Sequence, residues 1–140
     1  MLRWSMMGCL GFFLSQATMK DCSNDVHTGH IESLTMDPPA PISGDWVTVH
    51  IAYTLEKPIT GGQAIYTASL NGFPLTPTTN ELCTDMETTT TPCPIQAGQV
   101  SFEGISQLGD GTIHGTISAT TTWIDQDGEE VLCWGLSVRF

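Results

Sequence analysis

Every second residue of Trp46–Leu55 is apolar. Val47, Val49, Ile51, Tyr53 and Leu55 fall on one face, and Trp46, Thr48, His50 and Thr54 on the other. A period of two marks a strand with one buried face. The same alternation returns in Ala64–Leu70, where Ala64, Tyr66, Ala68 and Leu70 share a face. It returns in Thr112–Ile124 (Ile113, Ile117, Ala119, Trp123) and in Val131–Phe140 (Leu132, Trp134, Leu136, Val138, Phe140). Shorter strands are predicted at Ile31–Met36, Phe73–Thr78 and Val100–Ser106, and no stretch repeats convincingly at helical spacing. Asp37-Pro38-Pro39-Ala40-Pro41 cannot lie inside a ladder, because proline has no N–H to give. Gly61-Gly62, Asn71-Gly72, Gly109-Asp110-Gly111 and Asp127-Gly128 are turn signals, the last reading as a hairpin. Seven strands so spaced predict an all-β, two-sheet sandwich.

Two facing sheets would bury the apolar faces in a core about 10 Å thick. The inward set mixes bulky residues (Tyr66, Trp123, Trp134, Phe140) with small ones (Ala64, Ala68, Ala119). That mixture fits ordinary interdigitation, or sheets splayed around a ligand; patterning alone points to interdigitation.

The first residues read as a secretory leader. Met1-Leu2-Arg3 is a short basic start, Trp4 to Leu14 is apolar, and Ser15-Gln16-Ala17 carries small residues for cleavage. The expected division is a leader over 1–17 and one mature domain over 18–140. Cys9 leaves with the leader; Cys22, Cys83, Cys93 and Cys133 remain. Four cysteines in a small secreted chain predict two disulfides, with three connectivities open. Cys83 follows one strand and Cys93 precedes the next, so a bridge there would staple the connection. Cys22–Cys133 would then tie the mature N-terminus to the last strand.

The formal net charge is −11, with 4 Lys and Arg against 15 Asp and Glu. Binding nucleic acid by phosphate neutralisation, or an anionic bilayer through a basic patch, is excluded. No serine sits in a nucleophile motif, and no catalysis or cofactor is expected. No CxxC zinc spacing occurs. His27 and His30 read as an exposed loop rather than a metal site. Asp125, Asp127, Glu129 and Glu130 read as a solvated hairpin turn, the glycine being misplaced for an EF-hand.

In order along the chain stand Asp21-Cys22, the proline-rich turn, Phe73-Pro74-Leu75, Cys83, Cys93-Pro94-Ile95-x-x-Gly98, Trp123 and Leu132-Cys133-Trp134. This series resembles the MD-2-related lipid-recognition (ML) domain over roughly residues 20–140. Two branches are similar: the secreted phosphatidylglycerol/phosphatidylinositol transfer proteins and the Niemann–Pick C type sterol carriers. The sterol branch has a further short-range bridge near the N-terminus, where this chain has Val26 and His27. The resemblance implies an immunoglobulin-like sandwich with a lipid tail in an apolar cavity between the sheets. It agrees with the pairs Cys22–Cys133 and Cys83–Cys93. It implies Phe73 as an aromatic at the pocket entrance, and Trp123 and Trp134 as pocket-side aromatics. Alternation adds Tyr66, Leu70, Val100, Phe102, Ile117 and Leu136 as lipid contacts.

The expected protein is therefore a non-enzymatic carrier of a sterol or phospholipid, secreted or held in a lysosomal or vacuolar lumen. It would make transient membrane contact and could pass its cargo to an acceptor membrane protein. Few cations are available to pair with an anionic head group, which favours a neutral lipid or work at acidic pH. The alternative is an Ig-like surface-binding module for adhesion, immune recognition or receptor binding, with a solid core and no cargo.

Overall fold

The computed structural model describes residues 17–23, 27–109, 111–112 and 114–140. The expected leader thus lies almost wholly outside the described residues, as do Val26, Asp110 and Ile113. In chain order the described strands are β1 (Thr18–Asp21), β2 (Gly29–Asp37), β3 (Trp46–Leu55), β4 (Gly62–Leu70), β5 (Phe73–Pro74) and β6 (Thr78–Glu81). A short helix α1 (Leu82–Met86) follows, then β7 (Gly98–Gln107), β8 (Thr116–Asp125) and β9 (Glu130–Arg139).

The strands form two antiparallel sheets. One runs β1-β9-β8-β4-β5, with β6 also on the free edge of β4; the other runs β2-β3-β7. The registers put the predicted apolar faces together. Tyr66 pairs with Thr121 and Thr121 with Trp134, while Ala119 pairs with Leu136 and Ala68. In the smaller sheet Ile51 pairs with Phe102 and Val47 with Ser106.

The sheets are packed tightly at the end where β8 turns into β9. Leu55, Ile59, Leu82, Ile95, Val131 and Leu132 are all buried there. At Gly29 a Cβ would lie 2.8 Å from Leu132 Cδ2 and 2.9 Å from the Val131 carbonyl. Only glycine allows β2 to approach β9 this closely. The segment Cys93-Pro94-Ile95 serves the same end: Ile95 exchanges two backbone hydrogen bonds with Ile59, both at 2.9 Å. The structure joins Cys83 to Cys93 and Cys22 to Cys133.

Four expectations need correction. Phe73–Thr78 is not one strand but two short pieces, because Pro74 and Pro77 withhold ladder donors. A helix exists where none was predicted; Leu82 and Met86 are its buried pair, one turn apart. The Asp125 turn is not merely solvated. Asp125 is 3% exposed, and its Oδ1 accepts backbone N–H groups of Asp127 and Glu129 at 2.9 and 3.0 Å. Lys57 Nζ lies 3.3, 2.9 and 3.1 Å from Asp125, Asp127 and Glu129 and offsets part of their charge. His27 is likewise buried, against Glu130, while His30 faces Glu56, so the two histidines serve different carboxylates.

Candidate functional site

Away from the packed end the sheets part. Between them lies a cavity of about 540 Å³. Its floor is an aromatic group. Trp123 meets Tyr53 and Phe102 with centroids 5.6 Å apart in each case, and Trp134 reaches Phe102 at 6.2 Å. Its walls are the inward faces of the two sheets: Val47, Val49 and Gly104 on one side, Ala119, Thr121 and Leu136 on the other. Small residues opposite large ones leave the space unfilled; Ala119 stands where a bulky side chain would close it.

One flank is closed by α1 and the chain after it. This segment spans from β6 on the larger sheet to β7 on the smaller. The Thr90 hydroxyl accepts the Glu103 N–H at 3.0 Å, and the Thr91 hydroxyl donates to the Ser101 carbonyl at 2.7 Å. The Cys83–Cys93 bridge closes the loop on itself. Thr84, Asp85, Met86, Thr88 and Thr89 thereby line the cavity.

Of the residues expected to meet lipid, Tyr66, Phe102, Trp123, Trp134 and Leu136 line this space. Val100 packs against the core cluster instead. Leu70 and Ile117 are half-buried partners on the same inner face, towards the open end, but are not part of the cavity wall. Phe73 is 76% exposed. Asn71 and Gly72 take positive φ, 52° and 85°, and turn the chain straight back, pairing Phe73 with Leu70 on the sheet edge. Phe73 is not among the residues that line the cavity.

The site also holds residues that were not picked out. Val47, Val49 and Ala119 were legible from alternation. Asp85 was not, since it follows from a five-residue helix. Its carboxylate accepts the Tyr66 hydroxyl and, at 3.2 and 3.3 Å, the Asn80 amide. Burial, then the hydrogen bond to Asp85, pushes the Tyr66 phenol well above the usual tyrosine range, so it stays protonated.

The family model for the ML domain matches residues 16–140. The chain belongs to the ML domain family. Among curated relatives of this ML domain is the Dictyostelium discoideum "Putative phosphatidylglycerol/phosphatidylinositol transfer protein 1". It is 31% identical over 114 residues, covering 81% of this chain and 74% of that one. The similarly named protein 3 of that organism is 29% identical over the same shares. Among solved structures, a Niemann-Pick type C2 protein from Japanese carpenter ant superposes with TM-score 0.64 at 15% identity, covering 86% of this chain and 96% of that one. Chicken MD-1, crystallised with lipid IVa, gives TM-score 0.63 at 18% identity, covering 88% of each chain. At these identities the structural likeness establishes the shared fold: the ML sandwich of two antiparallel sheets.

Proposed function

We propose that this ML domain is a lipid carrier that holds the apolar part of one sterol or phospholipid between its sheets. The observation that carries this reading is the cavity itself. Its volume lies in the range of small-molecule sites, and its wall is mostly aliphatic and aromatic with a few polar groups. Each Å² of lipid surface taken from water contributes about 25 cal/mol, with no covalent chemistry required. The names of the curated relatives, and the lipid in the MD-1 crystal, support the same reading.

Tyr66, Phe102, Trp123, Trp134 and Leu136 are the proposed contacts. Leu70, Ile117 and Phe73 would meet only a ligand that extends beyond the cavity, and Val100 would act from behind the wall. Ile42, Trp46 and Ile105, respectively 66%, 65% and 71% exposed, offer apolar side chains for brief membrane contact. The two disulfides suit an oxidising lumen or the extracellular space, where a leader over 1–17 would deliver a mature domain over 18–140. The alternative is a surface-binding module with a solid core, and the cavity favours the carrier over it.

Native mass spectrometry of the secreted, purified protein, with lipid extraction of the same sample, tests the proposal. A bound mass lost on denaturation and identified as sterol or phospholipid is the expected result. A protein that carries no lipid and takes none from liposomes between about pH 5 and about pH 7 would overturn it.

A further inference from the structure

The charge and hydrogen-bonding character of the cavity wall discriminate among lipids. Asp85 is its one residue with a full charge among the described residues; no lysine, arginine or histidine lines it. The cations lie elsewhere. Lys57 is committed to three carboxylates at the β8–β9 turn, while Lys20 and Arg139 belong to β1 and β9 and take no part in the wall.

Three hydroxyls around Asp85 have already committed their protons. Tyr66 donates its phenolic hydrogen to Asp85. Thr88 donates to the Asp85 carbonyl at 3.1 Å and Thr89 to the Met86 carbonyl at 2.8 Å. A hydroxyl has a single proton but two lone pairs, and an ionised carboxylate only accepts. At Asp85, Tyr66, Thr88 and Thr89 the flank therefore presents acceptors, and the Asp85–Tyr66 pair asks its ligand for a donor. Thr84, Ser106 and Thr121 add neutral hydroxyls that can donate or accept but bring no positive charge.

We infer that the Asp85–Tyr66 pair is a head-group subsite for a lipid that bears a hydrogen-bond donor, hydroxyl or ammonium, and no net negative charge. This rests on the carrier reading above and narrows its substrate class. A phosphate monoester would bring a second anion beside Asp85 with no cation to separate them. In a partly dry cavity that repulsion is weakly screened. A hydroxyl or ammonium instead completes the vacant lone pairs of Asp85 and Tyr66, and bonds to a charged acceptor are the stronger kind.

The test uses the purified protein and four amphiphiles that share one tail: hexadecanol, hexadecylamine, hexadecyl phosphate and hexadecyl methyl ether. Each competes with an apolar dye that brightens in the cavity. The alcohol and the amine are expected to bind at least about tenfold tighter than the phosphate, with the ether between. The alcohol and amine arms separate the two donor sources. Asp85→Asn, which keeps the shape of the side chain, should shrink the gap between amine and phosphate to within about threefold. Tyr66→Phe breaks the pair from the strand side yet leaves the carboxylate, and should keep the amine ahead of the phosphate. The inference falls if the phosphate binds as well as the amine, or if Asp85→Asn leaves their ratio unchanged, or if Tyr66→Phe erases it. In those cases the ether still binds and the carrier reading stands. If none of the four displaces the dye, the carrier reading fails and takes this inference with it.

Discussion

Trp123 of β8 and Trp134 of β9 meet edge to face, with centroids 5.2 Å apart and planes at 79°. They are diagonal neighbours across the ladder, since Trp123 pairs with Leu132 and Trp134 with Thr121. Trp123 is buried while Trp134 is only partly so, which puts one indole in the floor and the other where cargo would cover it. Loading a non-fluorescent lipid should shift tryptophan emission to the blue. Trp134→Phe should remove most of the shift, and Trp46→Phe, on the exposed face, should preserve it. A shift that follows Trp46 would place the lipid outside the sandwich.

Ala119→Phe should plug the space without unfolding the protein. Ala119 lies in the wall between Ala68 and Leu136, with the cavity in front of it. Overpacking a filled core costs about 1–3 kcal/mol, but here the added ring has room. Lipid affinity should fall at least about tenfold. The melting temperature should stay within a few degrees. An unchanged affinity with an intact fold would put the ligand elsewhere.

The two disulfides should differ in worth. Cys22 and Cys133 are 111 residues apart in sequence, Cys83 and Cys93 only 10. If chain entropy governs, removing the first costs about 4.7 kcal/mol and removing the second about 2.5–3 kcal/mol. Urea melts of the double Cys→Ser variants give the order. The shorter bridge should nevertheless matter more for binding, because Cys83 lies within α1 and fixes the flank that carries Asp85. Equal losses of affinity in the two variants would sink that distinction.

Lys57 is held protonated well above the usual lysine range, first by its hydrogen bonds to Asp127 and Glu129; burial opposes this and Asp125 adds to it. A pKa raised by folding gives stability that is complete below the unfolded lysine value and disappears as pH climbs through the folded one. Lys57→Met should therefore destabilise the protein at neutral pH, leaving the buried Asp125 without its cation. The deficit should shrink on the alkaline side, where the native protein loses the same contribution. Denaturant melts from about pH 7 to about pH 12 follow it. A deficit that grows with pH contradicts the sign.

The hydroxyl of Tyr53 is buried and has no hydrogen-bond partner among the described residues. An unpaired buried polar group costs about 1–3 kcal/mol. Tyr53→Phe should then be neutral or raise the melting temperature. A loss of more than about 1 kcal/mol would reveal a partner for that hydroxyl.

The sheets were legible because alternation is a strong signal wherever one face is dry. Val47 to Leu55 needed nothing beyond their spacing, and the Asp127-Gly128 and Asn71-Gly72 turns set two hairpins. The limits of the elements were harder to read. Gly115, at φ 121°, places its backbone where a Cβ would strike the Asn71 side chain, and β8 begins only after it. The flank was hidden altogether. Five residues make little more than one helical turn, so Leu82 and Met86 could not establish a period. With α1 unseen, nothing in the sequence brought Asp85 to Tyr66. Nor could alternation tell that a cavity lies between the sheets: the same inward residues fill a solid core or line a hollow one.

Gly29 has a consequence far from its own position. By drawing β2 onto β9 it seals one end of the sandwich. A newcomer cannot push a guest out through that end. Unloading must come before reloading. The rate at which a loaded molecule empties should then be a property of the protein and its occupant, indifferent to how much replacement lipid waits outside.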